Sequence, residues 1–171
     1  IISRAKGGYC EVNRDSSAQI TLKVLAYKTV TVSYAWTDGK DLDILTSLLD
    51  YAYDGYAGYI AGRSPAHPVS PTLAWSGDNT STNGSETITI DAMTLAANNP
   101  EQDSVGISLA AHWYETKGSN PITITITCIP RTGSNQVRQI TKTVELLSTI
   151  SAQDCGVVYV NLRTGEIAIP T

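Results

Sequence analysis

The chain is short of charge. Asp, Glu, Lys and Arg make up only 16% of its 171 residues, against roughly a quarter in an average soluble domain, so its surface must rest on Ser, Thr, Asn and Gly. With 12 Lys and Arg against 16 Asp and Glu, the net charge is -4 and the pI about 5.0. That balance supplies no general attraction to a phosphate backbone and removes nucleic acid as a sequence-independent partner. No apolar run reaches the roughly 18 residues of a membrane-spanning helix, and the opening IISRAKGGYC lacks the apolar core of a secretory leader, so no membrane insertion is expected. Cysteine is scarce as well. Cys10, Cys128 and Cys155 are too few and too far apart for a disulfide framework, with none of the CxxC spacing of zinc or redox sites. They read as buried small apolar side chains, with one disulfide plus a free thiol left open. Long amphipathic helical patterns are also missing, which argues against a parallel α/β sheet.

What the chain does have is alternation. Ile20, Leu22 and Val24 alternate with Thr21 and Lys23, and Val30, Val32, Tyr34 and Trp36 with Thr31, Ser33 and Ala35, as in half-buried strands. Asp38-Gly39 carries the chemistry of a hairpin turn, leading into a strand over Asp41 to Leu49. Further strands are expected over Glu86 to Asp91, Val105 to Tyr114, Ile122 to Ile129, Val137 to Leu146 and Val157 to Leu162, and a Thr164-Gly165 turn leads into Glu166 to Ile169. Short helical turns at Leu45 to Tyr53 and Asp91 to Ala97 are the alternatives. Regular short strands punctuated by Gly, Asn and Pro predict an all-β, two-sheet antiparallel sandwich of jelly-roll type with few or no helices. The expected organisation is an arm or linker over 1–17 and one sandwich domain over 18–171. Two long loops are expected, Asp54 to Ser70 with its tyrosines and glycines, and Ser76 to Ser85 with its turn formers.

The residues best suited to chemistry are Asp41 and Asp43. Two apart on a strand, they share a face, while Leu42 and Ile44 turn to the other. Adjacent carboxylates repel unless a cation lies between them, and hard oxygen donors suit Ca2+, with further donors from Ser76-Gly77-Asp78-Asn79 and Glu86. The competing interpretation is a pair of solvated strand residues and an Asx-type turn.

The ordered combination of WTDGKDLDI (Trp36 to Ile44), WSGDN (Trp75 to Asn79) and ETITID (Glu86 to Asp91) resembles the tellurium-resistance TerD family. The resemblance implies a calcium-binding β-sandwich whose ligands fall on Asp41, Asp43, Asp78, Asn79 and Glu86. Thr80 to Ser85 is shorter than the family's glycine-rich acidic segment and carries no charge, which implies one ion or a weak site. A longer pattern adds Gly55 to Gly62, Ala111 to Tyr114 and Ile122 to Ile129, and is similar to TerD-like modules in structural proteins of tailed bacteriophages.

That likeness implies a non-enzymatic structural or adhesion module of a phage virion, in the tail, a fibre or the decoration, and located in the virion or outside the cell. Its partners would be copies of itself or other virion subunits. Tyr51, Tyr53, Tyr56 and Tyr59 are the candidate partner or glycan contacts, a host surface glycan included, since aromatic rings suit both. Two alternatives stand: a cytoplasmic TerD-type calcium-binding stress protein and a secreted carbohydrate-binding module. Catalysis is not expected, because His67 and His112 lie in no G-x-S-x-G or H-E-x-x-H context and no spacing sets a pair of catalytic carboxylates.

Overall fold

A computed structural model describes residues 8–12, 20–24, 27–49, 55–60, 71–131, 136–147, 149 and 151–170. The order is β1 (Gly8–Val12), β2 (Ile20–Val24), β3 (Tyr27–Leu49), β4 (Tyr56–Gly58), β5 (Leu73–Trp75), β6 (Thr82–Asp91), α1 (Ala92–Asn98), β7 (Ser104–Thr116), β8 (Ile122–Pro130), β9 (Arg138–Val144), β10 (Gln153–Asn161) and β11 (Ile167–Ala168). The all-β antiparallel, sandwich-like class expected from the alternation is the class observed. β1 and β2 pair with each other in a separate two-stranded sheet, and the other nine strands form one open sheet.

Strand β3 organises everything. Its first half is flanked by β6 and β8, with Val32 opposite both Ile88 and Ile126. Its second half is flanked by β7 and β4, with Leu45 opposite Ala110 and Gly58. β5 and β9 extend the first layer, and β10 and β11 the second. The Tyr34 hydroxyl lies 2.8 Å from Thr46 Oγ1, both side chains fully buried. Twelve residues of straight strand would hold them about 40 Å apart. The strand therefore folds over at a corner between them, and the even-numbered side chains of both halves, Val30 to Trp36 and Leu42 to Leu48, enter one core with Ile88, Ile107, Leu109, Ile124 and Val158.

The corner corrects the hairpin expected at Asp38-Gly39. Asp38 does adopt the left-handed backbone its chemistry favours (φ 55), but Asp41 adopts it too (φ 64), and the two kinks bend the strand without reversing it. The ladder survives because Lys40 pairs with Thr82 on one side and Thr116 on the other. Gly39 is required there, since a Cβ would lie 2.6 Å from the backbone nitrogen of Gly118 and run into the Trp113 ring. The Asp38 carboxylate fastens the corner by accepting hydrogen bonds from the backbone and hydroxyl of Ser119 in the β7–β8 connection.

Other boundaries move for similar reasons. The helical turn weighed at Leu45 onward is strand as far as Leu49, because β7 and β4 satisfy its backbone. β4 lies inside the stretch expected to be loop from Asp54, and β6 begins at Thr82, inside the expected polar loop. The three-residue β5 carries too short a pattern to be recognised in sequence. The turn weighed near Asp91 is a helix, capped by the Asp91 side chain accepting from the Thr94 backbone at 3.0 Å. Cys128 and Cys155 are core side chains, as their type suggested, and burial pushes the Cys128 thiol up to about 11. The side chain of Cys10 lies outside the described residues.

Candidate metal centre

The corner of β3 delivers Asp41 and Asp43 to the outer side of the second layer. Asp41 sits in the register shift between Lys40 and Leu42, where its left-handed backbone is tolerable for a short polar side chain. Asp43 follows two residues later and shares that face. The third carboxylate comes from another segment. Loop 76–81 is tied to β6 at its base, where the Ser76 backbone donates to the Thr87 carbonyl at 2.9 Å and the Thr87 backbone donates to Ser76 Oγ at 3.0 Å. Its far side is held by Glu86, whose two oxygens accept from the Asn79 backbone at 2.8 Å and from Trp75 Nε1 at 2.9 Å. Asn79 closes the turn with its own amide, accepting from the Ser81 backbone and donating to the Ser85 carbonyl, both at 3.1 Å. Gly84 leaves room for this, because a Cβ there would come within 2.8 Å of Asn79 Nδ2 and 2.7 Å of the Trp36 ring.

Asp78 is thereby held at the rim of the corner. Oxygens of Asp41, Asp43 and Asp78 all lie within 4.8 Å of one another. Two oxygens on one Ca2+ ion at about 2.4 Å each are at most about 4.8 Å apart, so the spacing is that of donors able to share a cation. Of the five residues expected as ligands, the fold brings these three together. Asn79 and Glu86 instead spend their side-chain atoms shaping the loop that presents Asp78.

The cluster is electrostatically strained. Burial raises the pKa of Asp41, with the Asp78 charge adding to it, and burial likewise raises Asp43, reinforced by Asp41 and Asp78 and opposed by His112. Glu86, 1% exposed, is pushed up to about 7, first by burial and then by the Asp78 and Asp43 charges, against the two hydrogen bonds it accepts. Lys40, beside the cluster, is already paired with Glu115 at 2.6 Å.

Asp43 carries the sharpest signal. The residue is 9% exposed, and its Oδ2 is buried without a hydrogen-bond partner. Its neighbour, at an ion-pair distance of 3.5 Å, is His112 Nδ1, which is also buried and likewise makes no hydrogen bond. His112 Nε2 lies 2.9 Å from the Thr149 carbonyl, which can only accept, so that nitrogen carries the hydrogen. A buried carboxylate oxygen without a well-formed hydrogen bond is costly to ionise, and a cation lowers that cost. Asp41, Asp43 and Asp78 could hold a metal ion, and the donor set is all oxygen.

Sequence reasoning did not connect His112 to Asp43. The link is a cross-strand pair in the β3–β7 register, for which the sequence has no local signal. Of the four tyrosines, Tyr51 and Tyr53 lie outside the described residues. Tyr56 is half-buried against Leu45, Ile60 and Ala110, whereas Tyr59 is 53% exposed. Trp75 is half-buried against the core and donates to Glu86. No family model, no curated protein and no solved structure matches the chain.

Proposed function

We propose that this chain is a non-enzymatic structural and adhesion module of a phage virion, with its β3 corner braced by Ca2+. The observation that carries the calcium part is the convergence of three carboxylates from two segments around a buried oxygen of Asp43 that makes no hydrogen bond. All three donors are hard oxygens, and one of them, Asp78, is exposed on a loop that Asn79 and Glu86 hold in place. That combination suits an ion with flexible coordination and six to eight oxygen ligands better than Mg2+, which demands a tight octahedron. When bound, the cation supplies the charge that lets Asp41, Asp43 and Asp78 ionise together and ties loop 76–81 to the corner.

The virion part is supported by the resemblance in WTDGKDLDI, WSGDN and ETITID, and by the all-β fold with its broad Thr-rich face. A module of this kind works by contact. The deciding experiment pairs thermal melting in Ca2+ and in chelator with size-exclusion chromatography and negative-stain imaging of native material. A cation-dependent melting temperature together with symmetric assembly, or co-purification with particles, supports the proposal. A monomer confined to the bacterial cytoplasm favours the stress-protein alternative, and unchanged melting removes the calcium.

A further inference from the structure

The outer face of the first layer repeats one choice of side chain. Ser33 on β3 lies between Thr87 on β6 and Thr125 on β8, and Thr125 lies opposite Thr141 on β9, so a row of hydroxyls crosses four strands. The rows on either side, Thr89 to Gln139 and Ser85 to Thr143 in the same register, hold only Thr, Ser, Ala and Gln. All these side chains are half-buried or exposed, and none carries a charge. Soluble surfaces ordinarily intersperse charges of both signs, which hinder association. The next row ends on apolar side chains. Ile129 pairs with Thr29 and is half-buried, and Val137, one residue past the Cys128–Arg138 pair, continues beside it the alternation of Gln139 and Thr141. Val137 is 57% exposed, although the chain next to it is held by the Tyr27 hydroxyl, which donates to the Gln136 carbonyl at 3.1 Å. Asp91, at the far end of that row, spends its carboxylate on capping α1.

We propose that this face is a contact between two copies of the chain, packed sheet on sheet about a two-fold axis, with Ile129 and Val137 as its apolar anchor. The inference rests on the reading of the chain as a module that works by contact, and it names the surface and the occupant. Each hydroxyl is one donor and two acceptors, so an array of them meets its own image without forcing donor against donor. Copies of a chain of net charge -4 repel one another, and that repulsion is least across rows without charge. Depletion of charge is also the compositional mark of an interface core, whereas a partner of opposite charge would find nothing here to pair with. Two copies of one sheet share one twist, which lets them stack aligned at about -30°. Rows about 6.8 Å apart on strands about 4.8 Å apart give the four rows roughly 500 Å² per copy, near the lower limit of a specific interface, so the contact depends on concentration.

The test is analytical sedimentation of the full chain from micromolar to near-millimolar concentration, with melting temperature recorded on dilute samples. The expected result is a monomer at the low end and a dimer at the high end. Thr125 lies near the centre of the face, where a two-fold axis brings it close to its own copy. Thr125→Glu and Thr125→Lys should therefore each weaken dimerisation at least about tenfold by like-charge repulsion, and an equal mixture of the two should recover it. Val137→Ser should weaken dimerisation about three- to tenfold with melting unchanged, which keeps the surface testable if a charged variant lowers the melting temperature. A parent chain monomeric at every concentration overturns this contact, whereas the reading as a contact module falls only if native material also fails to assemble or co-purify with particles. Dimerisation that neither Thr125→Glu nor Val137→Ser disturbs overturns the surface and leaves the contact module in place. A mixture that dimerises no better than its components overturns the face-to-face arrangement.

Discussion

The two halves of β3 follow one alternation and present opposite chemistry to the outside. The first half shows Thr31, Ser33 and Ala35, flanked by Thr87 and Thr89 on β6 and by Thr123, Thr125 and Thr127 on β8. Hydroxyls of this kind satisfy one another, as Thr87 does with Ser33 at 3.3 Å and Thr125 with Thr141 at 3.4 Å, and carry no charge to desolvate. The second half shows Asp41 and Asp43, sheltered and mutually repelling, with an oxygen that makes no hydrogen bond. The same alternation thus yields one surface complete in itself and one that needs a counter-charge. The difference teaches that the Thr-rich face of the first layer needs no counter-charge, whereas the acidic corner is held conditionally.

The largest expected effect lies in the layer that needs nothing else. Ile126→Ala removes a fully buried side chain opposite Val32 and should cost about 2 to 5 kcal/mol in urea denaturation. That loss should be equal in Ca2+ and in chelator. A loss that changed with Ca2+ would show the two layers to be coupled and break the comparison.

A smaller effect should appear at the corner on cation binding. Ca2+ at a hundredfold excess over its Kd should stabilise the fold by about 2.7 kcal/mol, read as a rise in melting temperature that chelator reverses. Asp43→Asn and Asp78→Asn should each abolish most of that response while leaving the chain folded.

The pH dependence sharpens the same contrast. Glu86 ionises near 7 in the fold against 4.5 ordinarily, so between these values the folded state holds more protons than the unfolded one. Stability in chelator should therefore fall as pH rises from 4.5 to 7, by at most about 3 kcal/mol, and level off above. Asp41 and Asp43, also raised, act in the same direction. Saturating Ca2+ should flatten the fall, and a slope unchanged by Ca2+ would separate Glu86 from the cation.

The smallest effect is expected at the tyrosines. Tyr59→Ala should alter stability by no more than about 0.5 kcal/mol, as is usual for an exposed side chain, while weakening attachment or assembly by about 1 to 2 kcal/mol if Tyr59 anchors a contact. Tyr56→Ala should cost more stability than Tyr59→Ala, because Tyr56 packs on Leu45, Ile60 and Ala110.

Much of the fold was legible in the residues themselves. The alternation of Ile122, Ile124 and Ile126 with Thr123, Thr125 and Thr127 determined which side of β8 is buried, since a period of two leaves only one way to hide the isoleucines. Asp41 and Asp43 on one face followed from the same period, and the left-handed backbone at Asp38 from the chemistry of the Asp-Gly pair. These are local properties, set by side-chain direction and backbone sterics within a few residues. Whether Asp38-Gly39 would reverse the chain or bend it was not local, because a hairpin and a corner use similar dihedrals. The outcome depended on partners far along the chain, Thr82 and Thr116 at Lys40, which keep the strand hydrogen-bonded through its kinks. The same holds for the site. Only the folded corner brings Asp78 to Asp41 and Asp43, turns Asn79 and Glu86 to holding the loop, and sets His112 behind Asp43, because proximity between distant segments is decided by the packing of the layers and has no signature in either segment alone.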